Sequence, residues 1–152
     1  MKILNITTSV PLAVTPIGNR YYALARDTIV KVYTDEGVLH FDFLKGFVTN
    51  FRSGGPLVDG FIDQMGDSDK ALIYLLHDAM YTPTDCCMGK HPVSRELADN
   101  FLREGLRFYG MSKFTSLLVY EAVRMFGEKA YEEDDDLTPT NMSLFGFHWT
   151  AA

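Results

Sequence analysis

The chain of 152 residues has very little cysteine, no long apolar run and a deficit of positive charge, and each shortage closes off a class of function. Its only two cysteines, Cys86 and Cys87, are sequence neighbours. Adjacent cysteines are poorly placed to bond to each other, so no disulfide framework is expected and a reducing compartment fits. The longest apolar runs fall far below the roughly 18 residues that suggest a membrane span. The start, MKILNITTSVPLAV, has its apolar stretch interrupted by Asn5, Thr7, Thr8, Ser9 and Pro11, and no signal peptide is expected there. The 14 Lys and Arg residues are scattered among 20 Asp and Glu, for a formal net charge of -6. Phosphate binding relies on clustered cations, so general nucleic-acid binding is not expected either.

What is present is the composition of an ordinary globular protein, with 47% hydrophobic and 22% charged residues. The expected fold is α+β, with a small N-terminal antiparallel hairpin or sheet packed against three to four helices. Residues 1–131 are expected to form a single domain, and 132–152 an acidic linker followed by an aromatic C-terminal tail. YYALARD, TIVKVY and VLHFDF read as strands, and in the last of these Leu39, Phe41 and Phe43 alternate with His40 and Asp42. Asp35, Glu36 and Gly37 supply the turn of a hairpin over 28–43. The glycines and proline of KGFVTNFRSGGP mark a loop, after which the pattern turns helical.

A short helix is expected at 57–65 and a longer one at 69–82, capped by Asp67 or Ser68 and stopped by Pro83. Ser94 caps a third helix, with Leu97, Ala98, Phe101, Leu102 and Leu106 as its apolar stripe and Gly110 as its terminator. A fourth spans Lys113 to Tyr131, with Leu117, Leu118, Val119, Ala122, Val123 and Phe126 inward. In the tail, Phe145, Phe147 and Trp149 alternate as in a strand laid on a surface. The tail is expected to dock on the domain or to meet a protein partner or a second copy.

The helix from Ala71 to Met80 is apolar on nearly every side, which is the pattern of a buried helix. His77 and Asp78 stand out in it, because a buried carboxylate costs several kcal/mol (roughly) unless it is paired, hydrogen-bonded or bound to a metal. His77 and Tyr81 are four residues apart and share a face. Asp99, at the edge of the next helix's apolar stripe, can reach the imidazole. This pattern makes His77 a candidate general base oriented by Asp99 and Tyr81, with Asp78 as a ligand for a divalent cation. An Asp99 partner raises the histidine's pKa unless burial offsets it. The plainer arrangement has His77 and Asp78 bonded to nearby backbone, and Asp99 paired with Arg95 or Arg103 on its own helix.

GFVTNFRSGGP, LLHDAMY, ELADNFLREGLRFYG and VYEAVRMFG together resemble the bacteriophage family catalogued as domain of unknown function 1353. The likeness spans about 38–128 and consists of a Gly-Phe-x-Thr-Asp-x-x-Ser loop, a His-Asp-x-x-Tyr helix and an Ala-Asp-x-x-Phe helix. It implies Thr49, Asn50 and Ser53 as substrate or oxyanion groups in the loop, alongside His77, Asp78, Tyr81 and Asp99. The family usually has Asp where this chain has Asn50. The His-Asp-x-x-Tyr helix with a later helical Asp is also similar to the core of secreted and parvoviral phospholipases. There the His is the base, the neighbouring Asp binds calcium and the later Asp orients the His. Their Tyr-Gly-x-Gly calcium loop is not reproduced by TNFRSGG.

Cys87 and His91 form at most a zinc half-site, since no second pair has finger spacing. Cys86 and Cys87 have no evident base to make either a nucleophile. Nothing in the sequence recruits His40 or His148, and the EEDDD run lacks the alternation of a calcium loop. Two functions are expected from these residues. The first is a small phage-encoded hydrolase of an ester, amide or phosphoester bond, in the host cytoplasm or on the virion. The second is a non-catalytic phage protein that binds a host or virion protein. A site open to solvent above His77 favours the first; a sealed cluster with an exposed aromatic tail favours the second.

Overall fold

The computed structural model describes residues 1–19, 21–50, 68–132 and 138–152. The chain divides into two compact units. One comprises Met1–Asn50, Thr82–Pro92 and Asp136–Ala152, the other Phe51–Tyr81 and Val93–Asp135. The architecture is α+β.

The first unit is built on antiparallel sheet. Strands β1 (Ile3–Thr8), β4 (Thr28–Thr34), β5 (Gly37–Phe43) and β7 (Phe145–Ala151) pair in the order β1-β4-β5-β7. Strands β2 (Val14–Gly18), β3 (Tyr21–Leu24) and β6 (Val48–Thr49) pair as β2-β3-β6. Alternation sets the faces: Val30, Val32, Leu39, Phe41 and Phe43 are buried, whereas Ile29, Tyr33 and Asp42 are exposed. The expected hairpin over 28–43 is present, with Thr34 Oγ1 donating to Gly37 O at 2.8 Å across the turn. A Cβ on Gly37 would collide with the Thr150 carbonyl oxygen, so the turn admits only glycine where β7 passes.

The aromatic tail docks as β7, in register with β5 from Phe43↔Phe145 to Gly37↔Ala151. Phe145 stacks on Phe43 at 5.3 Å between ring centroids and Phe147 meets Phe41 edge-on, while Trp149 stays exposed. Strands β1 and β2, which the pattern of the sequence does not announce, lie at sheet edges. Ile3 is the one buried residue of β1, so little apolar alternation marks it. A short helix (Thr138–Asn141) precedes β7. Its buried Asn141 accepts from Val48 N at 3.0 Å and donates to Val48 O at 2.9 Å, pairing β6 as a neighbouring strand would.

The second unit is helical. Among the described residues it contains α1 (Ser68–Met80), α2 (Arg95–Phe108), α3 (Lys113–Phe126) and α4 (Glu128–Glu132); the tail helix above is α5. The helix expected at 57–65 and the Asp67 cap lie outside the described residues. Helix α1 is enclosed on nearly all sides, as its composition predicts: Leu72 through His77, Ala79 and Met80 are all buried. Helix α2 packs against both α1 and α3. Its cap is as expected, with Ser94 Oγ accepting from Leu97 N at 3.2 Å, and Gly110 follows it at a φ of 96°. Gly105 lets Ile73 approach, because a Cβ there would lie 2.8 Å from the Ile73 side chain.

Two expectations for the fourth helix are corrected. The single helix to Tyr131 is instead broken at Gly127 into α3 and α4. Leu117, Leu118 and Phe126 face solvent, while Ser116, Val119, Ala122 and Val123 are buried. At about 100° per residue, 116, 119 and 123 form one stripe and 117, 118 and 114 point elsewhere, so apolar character on every side left the inward face undecided. Among the described residues no helix is long and apolar enough to cross a membrane.

Candidate functional site

The helical unit gathers four polar side chains around one buried carboxylate. Helix α1 carries His77, and Tyr81 follows one turn later. Helix α2 contributes Arg95 and Asp99, four residues apart, and α3 contributes Arg124 near its end. His77 and Asp99 are both 0% exposed, so Asp99 needs internal partners to offset the loss of water.

It has them on both oxygens. His77 Nε2 lies 2.9 Å from Oδ1, and the Tyr81 hydroxyl donates to the same oxygen at 2.5 Å. Arg124 Nη1 donates to Oδ2 at 2.8 Å, with Arg95 Nε a further 3.8 Å ion-pair contact on that oxygen. Arg95 is anchored elsewhere, its Nη2 donating to Val123 O at 2.9 Å and Arg124 O at 2.6 Å, two carbonyls at the C-terminal end of α3. A cation there also complements the helix dipole. One acidic residue thus ties three helices together.

Gly127 makes room for this arrangement. A Cβ at that position would lie 2.7 Å from the Tyr81 hydroxyl and 2.5 Å from Val123 O, so the break between α3 and α4 leaves space for the phenol that reaches Asp99. The Tyr81 ring also meets Tyr131 edge-on at 5.2 Å, and Tyr131 donates from its hydroxyl to Val93 O at 2.7 Å.

Protonation states follow from these contacts. Burial alone would raise the Asp99 carboxyl, but hydrogen bonds from His77, Tyr81 and Arg124 outweigh it and hold its pKa below the ordinary value. Burial pushes the Tyr81 phenol up, and the neighbouring Asp99 pushes it further. Burial also lowers His77, and this exceeds the opposing pull of Asp99. The sequence-based expectation of a raised histidine therefore fails on its stated condition, because burial wins. An ionised carboxylate only accepts hydrogen bonds, so the neutral ring must carry its proton on Nε2 and its lone pair on Nδ1.

This shift has a consequence for stability. His77 is lowered in the folded chain relative to the ordinary 6.5. Above 6.5 both states are neutral; as pH falls below it the unfolded chain takes up a proton that the folded chain refuses. Stability is therefore lost on acidification, at up to about 1.4 kcal/mol per pH unit for one proton. Denaturant titrations between pH 5 and 7 should show a steeper acid loss in the wild type than in His77→Gln, whose amide can still donate to Asp99. Equal slopes would contradict a depressed His77.

Of the residues singled out in the sequence, His77, Tyr81 and Asp99 come together. Asp78 is part-exposed on α1. Among the described residues no group of three His, Cys, Asp or Glu side chains could hold a metal ion. Thr49 lies buried on β6 and Asn50 follows it, both in the sheet unit, and Ser53 lies outside the described residues. The Arg95 partner belonged to the plainer arrangement; Arg103 is directed instead to Glu104 and to the Tyr120 ring. Arg124 and Gly127 escaped the sequence reading. Their only signal was a cation and a glycine at the end of the VYEAVRMFG stretch.

No curated protein and no solved structure matches the chain. The family described as Protein of unknown function (DUF1353) matches residues 23–123, a span that includes α1, α2 and most of α3. With about two-thirds of its length covered, and with His77, Tyr81 and Asp99 all inside the match, the chain belongs to the DUF1353 family.

Proposed function

We propose that this protein is a phage-encoded hydrolase in which His77 is the general base and Asp99 positions it. The observation that supports the reading is the pairing of His77 Nε2 with a fully buried carboxylate. That pairing presents a neutral imidazole in one tautomer, with Nδ1 as its basic nitrogen. In the reaction, the enclosure around His77 must first open; a water molecule then gives its proton to Nδ1 as its oxygen attacks a carbonyl or phosphoryl centre. The resulting imidazolium is stabilised by Asp99, and its proton passes to the leaving group. Tyr81 and Arg124 keep the carboxylate ionised and in place, and act through it rather than on substrate.

The bond is an ester, amide or phosphoester, and the similarity of the His-Asp-x-x-Tyr helix to phospholipases favours the ester. In those enzymes the Asp beside the histidine binds calcium, and Asp78 occupies that position. Among the described residues no three-ligand cluster accompanies Asp78.

A second reading is the one that a sealed cluster and an exposed aromatic tail favour, since His77 and Asp99 are completely enclosed and Trp149 is exposed. In that reading the cluster locks three helices of a non-catalytic protein that binds a host or virion protein. The edge strand β7, with exposed Trp149, then offers the surface a partner meets. The two readings separate when purified protein is offered chromogenic esters, amides and phosphodiesters and phospholipid vesicles, with and without calcium. Hydrolysis that disappears in His77→Gln supports the enzyme. No turnover on any of them, or turnover indifferent to His77, supports the lock.

A further inference from the structure

The two cysteines lie in the sheet unit, on a short loop held from several directions. Thr84 and Lys90 form an isolated antiparallel bridge, and between them Asp85–Cys87 make a single 3-10 turn. Cys87 N and Gly89 N both donate to Thr84 O at 3.0 Å, and Lys90 N donates to Cys87 O at 3.1 Å. Met88 at a φ of 60° and Gly89 at 78° turn the chain back on itself. Asp85 N donates to Met142 O at 3.0 Å, and the Thr84 hydroxyl donates to Phe145 O at 2.7 Å, fastening the loop to the segment that leads into β7. The sulfurs therefore sit on a fixed platform, with Cys86 exposed and Cys87 half-buried.

Their separation discriminates between two fates. The Sγ atoms are 3.7 Å apart. A disulfide requires about 2.05 Å, between residues whose Cα atoms usually stand about 4.4–6.8 Å apart, and neighbours across a trans peptide are at about 3.8 Å. A tetrahedral cation with bonds of about 2.3 Å to sulfur holds its two thiolates about 3.8 Å apart. The observed distance, which is also that of a thiol hydrogen-bonded to its neighbour, already matches the spacing of two ligands on one metal.

We infer that Cys86 and Cys87 form a two-thiolate site for a single thiophilic d10 cation of the zinc or cadmium type, with water or a small thiol completing its coordination. Soft sulfur ligands select such cations over magnesium or calcium. The environment assists deprotonation on one side of the pair. Phe147 N donates to Cys86 Sγ at 3.3 Å, and Phe147 O accepts from the same sulfur at 3.5 Å when it is a thiol. Burial alone would raise the Cys86 thiol, but hydrogen bonding, that from Phe147 N first, brings it below its ordinary value. Cys87 is raised, by burial first and then by Cys86, so it keeps the proton that it shares with its neighbour. Binding displaces that proton, and whatever fraction remains on Cys86, so up to two protons are released per cation. The site is independent of the hydrolase reading, since its residues belong to the sheet unit.

Cadmium chloride is the probe, titrated into the reduced, thiol-free full-length protein while the ultraviolet sulfur-to-cadmium charge-transfer band is followed. The band should saturate at one equivalent per chain. Cys86→Ser and Cys87→Ser should each weaken binding on the order of 100-fold, the loss expected when a chelate becomes a single contact. Their unchanged melting temperatures in the absence of metal would show that the fold survives. His91→Gln should bind as the wild type does. Absence of the band, saturation at half an equivalent, wild-type affinity in either serine variant, or a loss in His91→Gln matching that of Cys86→Ser would each overturn the assignment.

Discussion

Asp99→Ala is expected to destabilise the folded chain by about 3–5 kcal/mol, the cost of removing one partner from a buried charge network. The substitution takes away the acceptor for His77 Nε2, for the Tyr81 hydroxyl and for Arg124. His77 is fully enclosed, so no water replaces the lost bond at its Nε2. Arg124 can recover solvation, since about a third of its side chain is exposed, and Arg124→Leu should cost less than Asp99→Ala. For a chain of this size the larger loss corresponds to a fall of ~10 °C in melting temperature. Calorimetry on the two variants checks both the size and the order. A fall of only a degree or two for Asp99→Ala would mean that the carboxylate does not hold the helices.

The second large effect is catalytic. In His77→Gln the amide can still donate to Asp99, so the fold should be nearly retained, but it offers no basic nitrogen. Loss of a general base lowers turnover by about 100- to 10,000-fold, and here the loss should fall on kcat with little change in KM. Asp99→Asn should also reduce turnover, while lowering the histidine pKa further by removing the anion that opposes burial. A variant that keeps its melting temperature and loses its turnover separates a base from a structural histidine. Retained turnover in His77→Gln would place the chemistry elsewhere.

The helical half of this molecule was readable because its signals are local. Ser94 as a cap, the enclosed α1, and the shared face of His77 and Tyr81 all follow from spacing within a helix, whereas the reach of Asp99 rested on the next helix packing against α1. Arg124 was not readable, because an arginine near the end of a helix ordinarily reads as solvated, and only the packing of α2 against α3 turns it toward Asp99. The break at Gly127 was hidden for the same reason: it answers to Tyr81, just past the end of α1. In the sheet unit, β4 and β5 announce themselves by alternation, whereas edge strands such as β1 and β2 do not. The tail alternates too, but its pairing with β5 joins residues about a hundred positions apart, and no local pattern specifies such a partner.

The state of the His77 ring bears on every step of the proposed chemistry, and nitrogen-15 NMR of the imidazole reads it directly. The chemical shifts of the two ring nitrogens, followed through a pH titration of wild type and Asp99→Asn, give both the tautomer and the pKa. The expected result is a neutral ring protonated at Nε2, with a pKa below the ordinary 6.5 that falls further in Asp99→Asn. A ring protonated at Nδ1, or a pKa that ignores the loss of the Asp99 charge, would contradict the His77–Asp99 pair as the basis of a general base.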